Sequence, residues 1–202
     1  VLAFAAEWPS FRGNAQMTGA AEALAPPLKL RWTFEAGSAV EALLAGLQRS
    51  ALPCGPIVCA MRTDTPEQTE ASARLAARHA GRGVVGFDLA GAERGFPPAA
   101  HARAFAIARD AGLGLTCHAG EADHGARVLE AAALGATRIG HGVNIMACEV
   151  SDSLCLGPSG DGTTGGRDRW IDEARGLGLH FEVCPTSNVQ TGAAPSMAAH
   201  PI

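Results

Sequence analysis

The chain has 202 residues, enough for one ordinary domain with a sizeable core. Hydrophobic residues make up 47% and charged residues 18%, which excludes wholesale disorder. A net charge of -4 argues against an electrostatic grip on nucleic acid or an anionic membrane, and no stretch of about 18 apolar residues is present to span a bilayer.

Residues 1–40 carry Trp8, Trp32, Pro26-Pro27 and Phe11-Arg12-Gly13-Asn14 and show no helix-strand rhythm. They read as short extended segments and turns. From residue 56 a repeat begins. Residues 56–61 form an apolar run. Thr65-Pro66-Glu67 then starts a helix, with a capping hydroxyl and proline at the first helical position. That helix continues through 70–79 and is ended by Gly81 and Gly83. The pattern recurs: strand 83–89, helix 98–111, strand 113–117, helix 123–134, strand 138–140. Residues 148–167 are rich in Gly, Ser and Thr, lack periodicity, and read as an irregular insertion. Helix 168–175 and strand 179–183 follow.

Short runs rich in Val, Ile, Leu, Phe and Cys suit buried parallel strands. Units of about 24 to 31 residues have the rhythm of βαβ repeats. The alternatives are an open doubly wound sheet and a (β/α)8 barrel. Strand after strand ends in polar residues: Arg62, Asp88, His118 with Glu121, His141, and Thr186-Ser187-Asn188. Polar groups on several different strand ends favour the barrel. The six cysteines include no CxxC pair and read as reduced thiols.

His118 and Glu121 lie in His-Ala-Gly-Glu just past an apolar run. A strand-end histidine serves as a metal ligand or an acid/base, and a carboxylate across a glycine can turn back into the same pocket. The same tetrapeptide also fits a solvated glutamate opening the next helix. His141 lies between Gly140 and Gly142, where a backbone or ligand can approach closely, or where the ring is simply hydrogen-bonded at the sheet end. Asp88 in Phe-Asp-Leu-Ala-Gly either orients a histidine or caps a turn. Cys184 offers a thiolate or a structural thiol, and no second cysteine is spaced to help it bind metal. His79 and His101 lie in helical stretches among Ala and Arg and read as surface residues.

Together, His-Ala-Gly-Glu, Arg-Ile-Gly-His-Gly and Glu-Val-Cys-Pro-Thr-Ser-Asn-Val-Gln-Thr-Gly-Ala at successive strand ends resemble the adenosine deaminase family. Phe-Asp-Leu-Ala-Gly and Ile-Val-Cys-Ala-Met-Arg fit it in the same order. The resemblance covers about residues 41–202, apart from the insertion. It implies an α/β fold with about the third to seventh strands of a (β/α)8 barrel. It implies a cytoplasmic zinc hydrolase that turns adenosine or deoxyadenosine into inosine or deoxyinosine and ammonia. By the same resemblance His118 is a zinc ligand and Glu121 protonates the purine ring. His141 orients the attacking hydroxide, and Gly91 meets the purine through its backbone; Asp88, from its place at a strand end, is expected to support a histidine. The partner is then a small purine nucleoside, with no nucleic acid or membrane.

Two features depart from that pattern. The family's first strand carries a His-x-His pair, and no His-x-His occurs in this chain. The family's eighth strand carries an aspartate ligand in a motif that does not occur here. One of four expected protein ligands is present, so the isolated chain is expected to be incomplete and inactive. The start at Val1 and the end at His200-Pro201-Ile202 suggest a piece of something longer. Residues 1–40 instead look similar to the start of quinoprotein-like β-propellers, which are often exported. The two halves then point to different compartments, as in a composite chain. The alternative function is a non-enzymatic fragment whose propeller-like N-terminus acts as an interaction segment.

Overall fold

Thr65 caps a helix as its sequence predicts. Its hydroxyl accepts from the Gln68 amide at 3.4 Å, and the Gln68 side chain accepts from the Thr65 amide at 2.8 Å. This reciprocal box and Pro66 at the first position fix where the helix starts. In a computed structural model, residues 36–49, 53–146 and 165–201 are described. Helix α1 (Ala36–Leu47) belongs to one unit, Val1–Arg49; everything below concerns the other, Ser50–Ile202.

That second unit runs β1 (Ile57–Met61), α2 (Pro66–His79), β2 (Gly86–Ala90), α3 (Ala102–Asp110), β3 (Gly114–Ala119), α4 (Ala126–Ala133), β4 (Arg138–His141), α5 (Gly165–Gly176), β5 (His180–Glu182) and α6 (Pro185–Thr191). The strands lie side by side in chain order and every neighbouring pair is parallel. A doubly wound sheet reverses its strand order at a switch point, and this one does not. The order is that of a barrel wall. Among the described residues no helix is long and apolar enough to cross a membrane, and the four described cysteines are free.

Side chains alternate across the sheet. Phe87, Leu89, Leu115, Cys117 and Ile139 point to one face and are buried there. Phe105 of α3 meets Phe87 edge-on, ring centroids 5.6 Å apart, so this is the helix-covered face. The partner register sets Cys59, Asp88, Thr116 and Arg138 in one row on the other face. There Ile57 and Met61 stay 46% and 45% exposed, while polar side chains occupy the strand ends.

Three expectations are corrected. His79 and His101 are buried, not on the surface. On α2 the buried positions are Thr69, Ala73, Ala76 and His79, one stripe at helical spacing, so His79 lies under the helix with the alanines. His101 ends a 3-10 turn (Pro98–His101) that precedes α3, so the expected helix 98–111 is two elements. Helix α4 also starts later than expected, at Ala126. The amide of Asp123 is taken by Glu93 (3.1 Å), and its carboxylate is held by the His124 amide and by Arg127. The insertion 148–167 falls outside the described residues up to 164. Residues 165–167 open α5. The propeller-like segment falls outside them up to 35, and 36–40 belong to α1.

His101 sits between the Thr69 hydroxyl (Nδ1, 3.0 Å) and the Arg62 carbonyl (Nε2, 3.2 Å). A neutral ring carrying its proton on Nε2 satisfies both partners. Burial lowers its pKa from 6.5. Protonation therefore favours the unfolded chain: this contribution to stability is present above 6.5 and is lost as pH falls through 6.5 toward the lower folded value. Between about pH 7.5 and about 5, denaturation of the parent chain compared with His101→Gln is expected to isolate a loss of stability from this group of at most about 1.4 kcal/mol per pH unit. His101→Gln is expected to flatten that slope.

Candidate active site

Asp88 on β2 and His118 on β3 share the uncovered face. Their side chains meet, with His118 Nδ1 3.2 Å from Asp88 Oδ1 and 3.1 Å from Oδ2. The carboxylate holds a proton on Nδ1, which leaves Nε2 as the free ring nitrogen. The hydrogen bond to Asp88 raises the His118 pKa above its ordinary 6.5, against the opposing effect of burial. Cys59 of β1 donates to Asp88 Oδ2 at 3.3 Å. Desolvation first, then the Asp88 charge, pushes this thiol up to about 12, so it acts as a donor rather than a thiolate.

The glycines around His141 have a steric reason. A Cβ on Gly140 would lie 2.9 Å from the His118 ring, so only glycine lets that ring lie across β4. At 142 the Cβ would meet the Phe181 ring at 2.4 Å. His141 itself has φ +68°, the one positive φ on a non-glycine among the described residues. Such a conformation costs about 1–2 kcal/mol and clusters at functional sites. It sends the ring to a point 5.3 Å from the His118 ring, centroid to centroid.

Glu121 completes the group. Its Oε2 is 3.4 Å from His141 Nε2. Its Oε1 accepts from Thr191 (3.0 Å) and from the Asn188 amide (3.2 Å). The same Asn188 nitrogen donates to His141 Nδ1 at 2.9 Å, and Asn188 Oδ1 pairs with His200 Nε2 at 3.1 Å. Because Nδ1 accepts, neutral His141 carries its proton on Nε2, facing Glu121. Burial lowers the His141 pKa, and the Glu121 charge opposes this.

The structure thus brings together Asp88, His118, Glu121 and His141. Gly91 has φ +97° and lines, with His118, Glu121 and Thr191, a cleft of about 560 Å³. A second cavity of about 340 Å³ lies behind His141 between Ile171, Phe181 and Val183. It is walled mostly by apolar side chains together with His141 and touches neither His118 nor Glu121; those two line the first cavity, and His141 lines the second. Cys184 precedes α6, donates to the Glu182 carbonyl at 3.7 Å and does not line that cleft.

Asn188, Thr191, His200 and Glu93 carry no role in the sequence reading. Asn188 ends the Cys-Pro-Thr-Ser-Asn run and Thr191 follows three residues later; the polar density of that stretch was the available signal. Short α6 turns them back onto Glu121.

For zinc, the donor set decides. A catalytic zinc takes about three protein ligands. Among the described residues no group of three or more His, Cys, Asp or Glu is placed to hold a metal ion. His118 offers Nε2, and Asp88 is engaged behind it. These residues do not make a zinc site by themselves.

Asn188 is fully buried and serves three partners at once. Asn188→Leu leaves those partners unpaired. Denaturant titration is expected to show a loss of about 1–3 kcal/mol or more.

The sequence model of the adenosine deaminase family matches residues 21–202. An adenosine deaminase of Mycobacterium marinum is 38% identical over 185 residues, which take in 88% of this chain and 49% of that protein. The chain spans about half the length of the curated relatives it matches. The adenine deaminase of Arthrobacter aurescens has a similar structure, with TM-score 0.62 and 27% identity over 80% of this chain and 44% of that one. An amidohydrolase of Burkholderia ambifaria, solved with bound Zn, matches with TM-score 0.50 and 20% identity over 80% of this chain and 48% of that one. The family is one of metal-dependent hydrolases, and the five-stranded wall is a partial (β/α)8 barrel. The match begins at residue 21, inside the propeller-like segment, and the propeller resemblance is not supported. A match of that extent, on strands wound singly and in chain order, means that the chain belongs to the adenosine deaminase family.

Proposed function

We propose that this chain carries the proton-handling part of a site that hydrolyses the 6-amino group of adenosine or deoxyadenosine. The supporting observation is the convergence of His118 and Glu121 from the end of β3 with His141 from the end of β4, Glu121 lying 3.4 Å from His141 and the two rings 5.3 Å apart. The cleft that His118 and Glu121 line, about 560 Å³, falls in the range of small-molecule sites.

The purine C6 is a poor electrophile until the neighbouring ring nitrogen is protonated. Glu121 gives that proton, and its Thr191 and Asn188 bonds aim the carboxyl group. The oxygen of water then bonds to C6 and the C6–amine bond breaks. Of the two hydrogens of water, one leaves with ammonia and one returns to Glu121, replacing the proton that the carboxyl gave to the ring nitrogen. His141 orients the attacking oxygen through its Nε2–H, a direction set by Asn188 on the other ring nitrogen. The Gly91 backbone, open to the cleft, meets the purine.

His118 is the one histidine of this group with a free ring nitrogen directed by a carboxylate, and it is the zinc ligand in this reading. The remaining donors are not among the described residues, and the isolated chain is proposed to be incomplete as an enzyme. Zinc measured on the purified chain after loading and long dialysis is expected to fall well below one per molecule. A stoichiometry near one overturns this, and means that other groups complete the site.

In a preparation that deaminates adenosine, followed by the absorbance change on forming inosine, Glu121→Gln is expected to lower kcat by about 100-fold or more. Full activity in that variant overturns the proton-donor assignment.

A further inference from the structure

Past β2, a carboxylate that the reaction above does not use is turned inward. Glu93 is 4% exposed, and its carboxylate is engaged by backbone. It accepts four consecutive backbone amides of the turn between β3 and α4: Gly120 on Oε1 at 2.5 Å, and Glu121, Ala122 and Asp123 on Oε2 at 3.0, 2.8 and 3.1 Å. These amides donate to no backbone carbonyl. The turn follows Gly120, at φ +71°, and precedes α4, so neither strand nor helix fixes it.

The carbonyl side of the same turn is also held from outside. The Asn144 amide donates to the Gly120 carbonyl at 2.8 Å, and its side chain to the Glu121 and Asp123 carbonyls at 2.9 and 2.8 Å. Arg94, the neighbour of Glu93, donates to the Ala122 carbonyl at 3.2 Å. Every backbone N–H and C=O from Gly120 to Asp123 is therefore bound by residues beyond the two ends of the turn. A run of aligned amides is an anion-binding concavity. Here the protein fills it with its own carboxylate, directly behind the residue that faces the cleft.

We infer that Glu93 is a positioning residue: it builds the turn that aims Glu121 into the cleft. The inference rests on the reading of Glu121 as the proton donor, but the shape of the turn can be tested without it. A long side chain on a loosely held turn reaches many places, and proton transfer needs one of them to within a few tenths of an ångström. Glu93 supplies that restriction from the loop after β2, the strand paired directly with the one that carries the turn.

Two variants of the full chain test this. Glu93→Gln keeps the shape but sets an NH2 group against one of the amides. Glu93→Asp keeps the charge but draws the carboxylate back by one methylene. Both are expected to speed hydrogen exchange at Gly120–Asp123 by about tenfold or more, as for loss of a charged hydrogen bond. Exchange in β2 and β3 is expected to stay near that of the parent chain. In a deaminating preparation both are expected to lower kcat about tenfold or more with KM changed about twofold or less, the mark of a misaimed group rather than lost binding.

Unchanged exchange at Gly120–Asp123 overturns the inference. Faster exchange with kcat intact overturns it as well. If Glu93→Gln opens the whole sheet, Glu93→Asp decides: local opening supports the inference, and exchange like the parent's overturns it. If Glu121→Gln keeps full activity while both Glu93 variants loosen the turn, the deaminase assignment of Glu121 fails and Glu93 stands as the residue that builds the turn.

Discussion

Parallel pairing with a period of two governs everything at this site. Because Cys59, Asp88, Thr116 and Arg138 fall in one row, their side chains share a face, and Phe87, Leu115 and Ile139 are forced to the other. A slip of one residue in β2 would put Asp88 under the helices and Phe87 beside His118. The burial of Phe87 and Leu89 is thus also what holds Asp88 against the His118 ring. Core packing and site geometry are one constraint here, read from two faces of the same strand.

The ends of the strands meet a second requirement. Once helices cover one face, polar groups at the rim lose water and need partners. Arg62, 1% exposed, shows how far this goes: its guanidinium donates to the Phe96 carbonyl at 2.8 Å, to the His118 carbonyl and to the Cys117 sulfur. It ties the end of β1 to the end of β3 beneath the cleft. Asn188 plays the matching part on the other side, between Glu121, His141 and His200. A lysine in place of Arg62 could not replace the planar fork, since it offers a point charge on a flexible stem.

Much of this was legible in the sequence, for reasons that differ by element. The strands were legible because short apolar runs between glycine-ended amphipathic stretches have few other solutions. The start of α2 was legible because Thr65, Pro66 and Gln68 are local signals acting on local backbone. His118, Glu121 and His141 stood out as polar residues placed where apolar runs stop. Glu93 did not, because its partners lie 27 to 30 residues away and are amides, which every residue carries. The buried placement of His79 and His101 was hidden for a related reason. Where alanines supply most of the apolar positions, the hydrophobic stripe is too faint to say which way a histidine faces. Helix α6 is only 7 residues long and has no apolar period to betray it.

His141 holds its ring in place with a backbone that most side chains avoid. Glycine at that position would relieve the left-handed strain, but it would also leave the buried Asn188 without the ring nitrogen it donates to. The strained backbone and the buried amide therefore hold each other: the Asn188 bond offsets a conformation that costs about 1–2 kcal/mol, and that conformation carries the imidazole to Glu121. The energetic worth of either residue is thus a property of the pair.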